Sequence, residues 1–351
     1  MLLADARRAR SQGDTANLAR IADRLLAFAP REPRFLVLKG DALEAAGDQR
    51  SAASFYSAAL MQAQGLSSVP ADLKAELDHA ARMQAKAAQG FEQSLHDGLV
   101  RRGYDAMDPA LDRFSSSLEL MTGRRQLYYQ QPKFYLLPGL PQIEFQPRAT
   151  VEWLAVIEAA TSDIRKELDG ILAEPELFAP YIEDRTNRPQ NNQAGMLGNA
   201  EWSAVFLYKD GLEVPEIAAR CPVTMQVLDK APLCRIPGRS PSILFSKLAA
   251  GAVIPPHHGL INTRLICHLP LVAPAGSEFR VGSSVREWRE GQAWAFDDTI
   301  EHEARNDSGK DRTILIFDVW KPEITNREQD MIRALFATID ASGTAAPKLG
   351  V

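Results

Sequence analysis

Four of the six histidines in this 351-residue chain fall between Pro255 and Arg312. His257 and His258 stand in PPHHG, His268 in NTRLICHLPL and His302 in FDDTIEHEARND. Arg264 and Arg312 lie on strand-like segments beside them. His257 and His302 form the best pair for a metal, because each follows a loop-forming element at a strand end, where barrel-mouth sites are built. Two imidazoles with open coordination positions suit Fe(II) in an oxygenase. The usual third ligand, a carboxylate two residues after the first histidine, is absent, since that position is Gly259. His258 competes with His257, although adjacent side chains diverge.

Alternation along a strand puts residues i, i+2 and i+4 on one face. Asn262, Arg264, Ile266 and His268 therefore share a face, backed by the core-like Thr263, Leu265, Cys267 and Leu269. In RTILIFDVW, Arg312 shares a face with Ile314 and Ile316. An arginine at the mouth of an apolar strand face is suited to hold a carboxylate through two parallel hydrogen bonds. Arg264 faces either a substrate or a structural salt bridge.

The elements that must position these groups change character along the chain. Residues 1–105 are rich in Ala, Leu, Arg and Glu with apolar residues at helical spacing. GDTANLARIADRLLAFAP and GDQRSAASFYSAALMQAQ both begin with Gly-Asp, at Gly13 and Gly47, an offset that matches the tetratricopeptide period. Phe35, Leu38, Ala42, Ala52, Tyr56 and Ala59 are the expected packing residues of such helix pairs. Residues 106–150 carry Pro, Gly and aromatics without a clear period and read as a connector, with LPGLPQ as a turn. One amphipathic helix is expected over 151–174, followed by a polar loop rich in Pro, Gly and Asn over 178–201. Beyond residue 200, EWSAVFLYKDG, SPSILFSKL, NTRLICHLPLVAP, SEFRVGSSVREW, QAWAFDD and RTILIFDVW are strand candidates. Six or more such strands predict a sandwich or barrel, closed by a helix in ITNREQDMIRALFATIDAS.

Composition narrows the function classes. A formal charge of -5 and a pI near 5.8, with no Lys/Arg run, argue against nucleic-acid binding. No apolar run reaches the roughly eighteen residues of a membrane span, and the apolar start is too short for a signal peptide. Cys221, Cys234 and Cys267 show no CxxC spacing, which suits a reducing cytoplasm and excludes a cysteine zinc knuckle. Cys267 reads as a small buried hydrophobe.

The motifs FSKLAAGAVIPPHHGLINTRLICHLPLVAP, EWREGQAWAFDDTIEHEARND and DRTILIFDVWKPE resemble the aspartyl/asparaginyl β-hydroxylase family of Fe(II)/2-oxoglutarate oxygenases over residues 195–325. The resemblance implies an α+β chain: N-terminal all-α tetratricopeptide-like repeats, then a double-stranded β-helix (jelly-roll, cupin-like) oxygenase domain at 151–345 with flanking helices. It implies His257 and His302 as iron ligands and no carboxylate ligand, so that Gly259 is expected. Ser246 and Arg312 match positions holding the distal carboxylate of 2-oxoglutarate, and His268 one near its metal-bound end. Asp298 matches an acid close to iron, or is a turn-forming residue. One departure concerns the substrate: Ile266 stands where well-known members carry an arginine in an LRxH pattern.

The reaction so implied consumes O2 and 2-oxoglutarate, releases succinate and CO2, and hydroxylates an unactivated C–H. The substrate expected is the β-carbon of Asp or Asn in a peptide or protein, which the helical repeats would recruit or regulate. Hydroxylation of a lipid-linked acyl chain is a second reading. A repeat-based interaction protein with a silent jelly roll, and a metal cupin without 2-oxoglutarate, are further alternatives.

Overall fold

The structure is a computed structural model, which describes residues 1–66, 68–182 and 195–342. The chain divides into two compact units, Met1–Arg125 and Gln126–Val351, and the division falls inside the stretch read as a connector.

The first unit holds α1 (Leu2–Ser11), α2 (Thr15–Phe28), α3 (Pro33–Ala45), α4 (Gln49–Gln64), α5 (Ala71–Val100) and α6 (Asp112–Met121). The Gly-Asp repeat has a mechanical meaning. Gly13 and Gly47 adopt φ +70° and +84°, backbone that glycine enters without a Cβ penalty. The next residues, Asp14 and Asp48, then cap α2 and α4 by accepting from the backbone N–H of Asn17 and Ser51. Leu38, Ala42, Ala52, Tyr56 and Ala59 are buried as the spacing requires, with Phe35 partly so. Tyr56 fits because Gly40 offers no Cβ to its ring. α6 lies in sequence that shows no helical period, since three consecutive serines (Ser115–Ser117) interrupt its apolar stripe.

In the second unit, the helix expected over 151–174 is two, α7 (Leu154–Ala159) and α8 (Thr161–Leu172). The break falls at Ala160, whose N–H closes a tight turn on Ile157 O, while the Thr161 hydroxyl donates to Glu158 O. The loop expected over 178–201 lies largely in 183–194, outside the described residues. Short helices α9 (Pro215–Ala218) and α10 (Pro222–Leu228) precede most of the strands. The C-terminal helix α11 (Asn326–Ala341) starts at a capping box, Thr325 with Glu328.

The strands are β1 (Ala179–Pro180), β2 (Trp202–Lys209), β3 (Leu212–Glu213), β4 (Ile243–Leu248), β5 (Val253–His257), β6 (Arg264–Val272), β7 (Ser277–Val281), β8 (Ser284–Glu287), β9 (Trp294–Phe296), β10 (His302–Asn306) and β11 (Arg312–Trp320). They form two antiparallel sheets. The larger runs β1-β2-β4-β11-β6-β9, with β3 paired to β2; the smaller runs β5-β10-β7-β8. This is a jelly roll, as the strand count and the resemblance together predict.

The alternation read from β6 and β11 decides how the layers stack. Leu265, Cys267, Leu269, Leu315, Phe317 and Val319 turn toward α7 and α8, where Leu154, Ile157, Ile164 and Leu168 meet them. Ile266, Ile314 and Ile316 turn the other way and pack with Phe279, Val281, Ala304 and Phe296 between the two sheets. The same parity that sends one set into the helical layer thus delivers Arg312 and His268 to the space between the sheets.

Candidate active site

Register aligns the polar residues of the larger sheet. β11 pairs Ile314 with Ser246 of β4 and Ile316 with His268 of β6, so Ser246, His268 and Arg312 project from one face. On the smaller sheet His257 ends β5, His302 begins β10, and the two are register partners. Their ring centroids lie 4.1 Å apart. A bulge between His302 and Ala304 adjusts the strand at this point, as bulges beside active sites do.

Each of these imidazoles is anchored at Nδ1, His257 by Pro255 O at 2.8 Å and His302 by Ile300 O at 3.0 Å. A carbonyl can only accept, so each Nδ1 carries the proton and each Nε2 presents a lone pair. That orientation, set by a backbone acceptor, is what a metal-binding histidine requires. Burial holds the His257 imidazole at a pKa of about 4. His302 is pushed well below its usual range by burial first and by His257 second. Both are neutral at physiological pH, the form that binds metal. The pair therefore fits a divalent ion. Among the described residues no group of three or more His, Cys, Asp or Glu is arranged for a metal. Two protein ligands would leave the other positions to small molecules.

An aromatic wall connects this pair to the groups on the larger sheet. Phe296 and Phe279 stand 5.4 and 6.0 Å from His302, and each is 4.9 Å from His268. Trp202 stands 6.3 Å from His257 and donates its Nε1–H to Ser246 Oγ at 3.2 Å. Arg312 lies over Trp288 at 4.4 Å and is 1 % exposed. Among the described residues its Nε and Nη1 have no hydrogen-bond partner, and neither do His268 Nδ1, Trp288 Nε1 and Trp294 Nε1. No carboxylate pairs with Arg312 among the described residues. Burial alone lowers its pKa to about 9, and its charge adds to burial in holding His268 neutral. A desolvated guanidinium without a counter-ion is costly unless the anion comes with a ligand.

Asp298 stands against Gly259, two residues beyond His257. Gly259 donates its N–H to Asp298 O at 2.6 Å, and a Cβ at residue 259 would fall inside the Asp298 carboxylate. The Asp298 side chain thus fills the space into which a carboxylate two residues after His257 would grow. Burial raises its pKa to about 6 despite Arg264, and its Oδ1 is buried without a partner. Gly259→Ala is expected to lower unfolding free energy by about 1–3 kcal/mol through overpacking, read by urea denaturation. Full stability in that variant would show that Asp298 has room to move aside.

Arg264 takes the salt-bridge alternative left open by the sequence. It is fully buried, with Nη1 3.2 Å from Asp318 Oδ2 and Nη2 3.4 Å from Asp298 Oδ2. Asp318 is in turn held by the Ser240 hydroxyl and the Ser242 N–H. His258 is not register-paired with His302, and its Nε2 is buried without a partner. Sequence reasoning missed Asp318 and Trp288. The acid in the otherwise apolar IFDVW was the available signal for the first; nothing local marks the second.

The family described as Aspartyl/Asparaginyl beta-hydroxylase matches residues 158–322. "Aspartate beta-hydroxylase domain-containing protein 2" of Rattus norvegicus is 27% identical over 258 residues, 69% of this chain and 72% of that protein. The "Ornithine lipid ester-linked acyl 2-hydroxylase" of Rhizobium tropici is 33% identical over 177 residues, 50% of this chain and 59% of its own. The human "Aspartyl/asparaginyl beta-hydroxylase" is 34% identical over 137 residues, and this chain spans only 18% of its length. The Schizosaccharomyces pombe Cnp3 cupin domain aligns with 42% of this chain and 74% of its own, at 10% identity and a TM-score of 0.24, too low to add to the strand order.

A jelly roll with paired imidazoles at its mouth and hydroxylases among its relatives supports a hydroxylase. Residues 158–322 match the aspartyl/asparaginyl β-hydroxylase family, and the human relative above carries that name.

Proposed function

We propose that this chain is an Fe(II)- and 2-oxoglutarate-dependent oxygenase that hydroxylates the β-carbon of an Asp or Asn in a peptide or protein. The observation that carries the reading is Arg312, a buried cation that has no acid partner among the described residues and leaves donors unpartnered there. A short dicarboxylate answers that arrangement. Its distal carboxylate would take Arg312 Nε and Nη1 and the Ser246 hydroxyl, with His268 nearer the keto acid. His257 Nε2 and His302 Nε2 would hold the iron, which when bound supplies the oxidising chemistry that couples 2-oxoglutarate decarboxylation to hydroxylation.

The protein's own part is positional. Phe279, Phe296, Trp202 and Trp288 keep water from the space between the sheets. The unpartnered Oδ1 of Asp298 is an acceptor for a donor entering beside Gly259, and Arg264 holds that carboxylate in place. The paired helices of the first unit would present a peptide-binding surface. The likeness to the Rhizobium tropici enzyme favours a second reading, hydroxylation of a lipid-linked acyl chain.

Succinate formation tests both. Anaerobically iron-loaded protein, supplied with 2-oxoglutarate and O2, is expected to form succinate above a His302→Ala control. Addition of the true substrate class, Asp/Asn peptides or an acyl-ester lipid, should raise the rate. Wild-type protein that forms no succinate and binds no 2-oxoglutarate would make the interaction-protein reading the better one.

A further inference from the structure

The segment following Arg125 is bound to the site by its backbone. Gln131 N–H donates to Thr299 O at 2.7 Å, Lys133 N–H to Gly259 O at 3.0 Å, and Phe134 N–H to Leu260 O at 3.0 Å. Gly259 is two residues beyond His257, and Thr299 follows Asp298. These bonds seat Lys133, an exposed residue, on the rim of the histidine pair.

Several charges near this rim already have partners among the described residues. Glu301 and Glu303 are paired with Arg280, Asp297 with Lys321, and Asp298 with Arg264. Arg264 is sealed from solvent, and Arg312 lies buried over Trp288. Residue 266, on the face that Arg264 and His268 share, is an isoleucine in the apolar layer. Lys133 forms no ion pair and no side-chain hydrogen bond among the described residues. An ammonium seated by its backbone beside the histidine pair, with no acid of its own among the described residues, is available to an anion that a substrate carries.

We propose that Lys133 is the specificity residue of this site, binding a carboxylate of the incoming peptide and so favouring Asp over Asn at the hydroxylated position. The proposal rests on the peptide-hydroxylase reading above. Because the ammonium is exposed, its effect is that of a rim charge, and a preference of about tenfold in kcat/KM is expected.

The test uses the full, iron-loaded chain and two peptide pools identical except for Asp or Asn at the central position. Hydroxylation is read by mass spectrometry. The wild type should prefer the Asp pool by about tenfold, and the preference should shrink as salt rises. Lys133→Met should bring the two pools level, with 2-oxoglutarate affinity as in the wild type, and Lys133→Glu should favour the Asn pool. A preference equal in wild type and Lys133→Met, or absent in the wild type, would overturn the assignment. If neither pool is hydroxylated although succinate forms, the peptide reading fails and this proposal falls with it. Hydroxylation of an acyl-ester lipid in its place would then name the other substrate class.

Discussion

Arg312→Met is expected to weaken 2-oxoglutarate binding by about 10²–10⁴-fold, because the variant loses charge-assisted hydrogen bonds to a carboxylate at roughly 1.5–3 kcal/mol each. The same substitution should not destabilise the unliganded protein. In the wild type Arg312 is buried over Trp288 without a counter-charge among the described residues, and an apolar side chain of similar length removes that burden. Replacing buried charge by apolar groups is often neutral or stabilising by about 1–4 kcal/mol, so the melting temperature of the ligand-free variant should equal or exceed that of the wild type. Conversely, 2-oxoglutarate should raise the melting temperature of the wild type and leave that of the variant unchanged. Titration calorimetry and thermal melts measure both effects. Retained 2-oxoglutarate affinity in a stable variant would remove Arg312 from the co-substrate site.

His302→Ala should abolish stoichiometric iron binding and reduce hydroxylation by about 10³-fold or more, since one imidazole cannot hold the metal that two hold. His257→Ala should behave alike, whereas His258→Ala should keep its iron, because His258 is not register-paired with His302. His302 is 6 % exposed among Phe279 and Phe296, so truncation to alanine also leaves a cavity. His302→Gln, which fills most of that volume, separates loss of metal from loss of packing. Iron content, measured on folded protein, decides the matter. Full iron occupancy in either His302 variant would assign the ligand elsewhere.

Much of this site was legible in the residues because a strand repeats every two. Arg264, Ile266 and His268 had to share a face, as did Arg312, Ile314 and Ile316, and the apolar members of each set showed which face met the other sheet. The Gly-Asp repeats were equally readable: a turn that needs positive φ and an N-cap that needs a side-chain acceptor can each be met by few residues. The split of the helix over 151–174 was not, since its apolar spacing runs on through Ala160 and only the bonds of the Ala160 N–H and the Thr161 hydroxyl tighten the turn.

What the sequence determined by itself was therefore the parity of each strand, the caps of the first helices and the stock of imidazoles and guanidiniums available. Only the tertiary structure decided their partners. Arg264 meets Asp298 and Asp318 across 34 and 54 residues of chain, His257 meets His302 because β5 and β10 pair in one register, and Arg312 meets no acid among the described residues. Local periodicity tells a side chain which way to point. Whether it finds a counter-ion, a metal partner or an empty space depends on which strands become neighbours, and that is settled when the two sheets close over a common core.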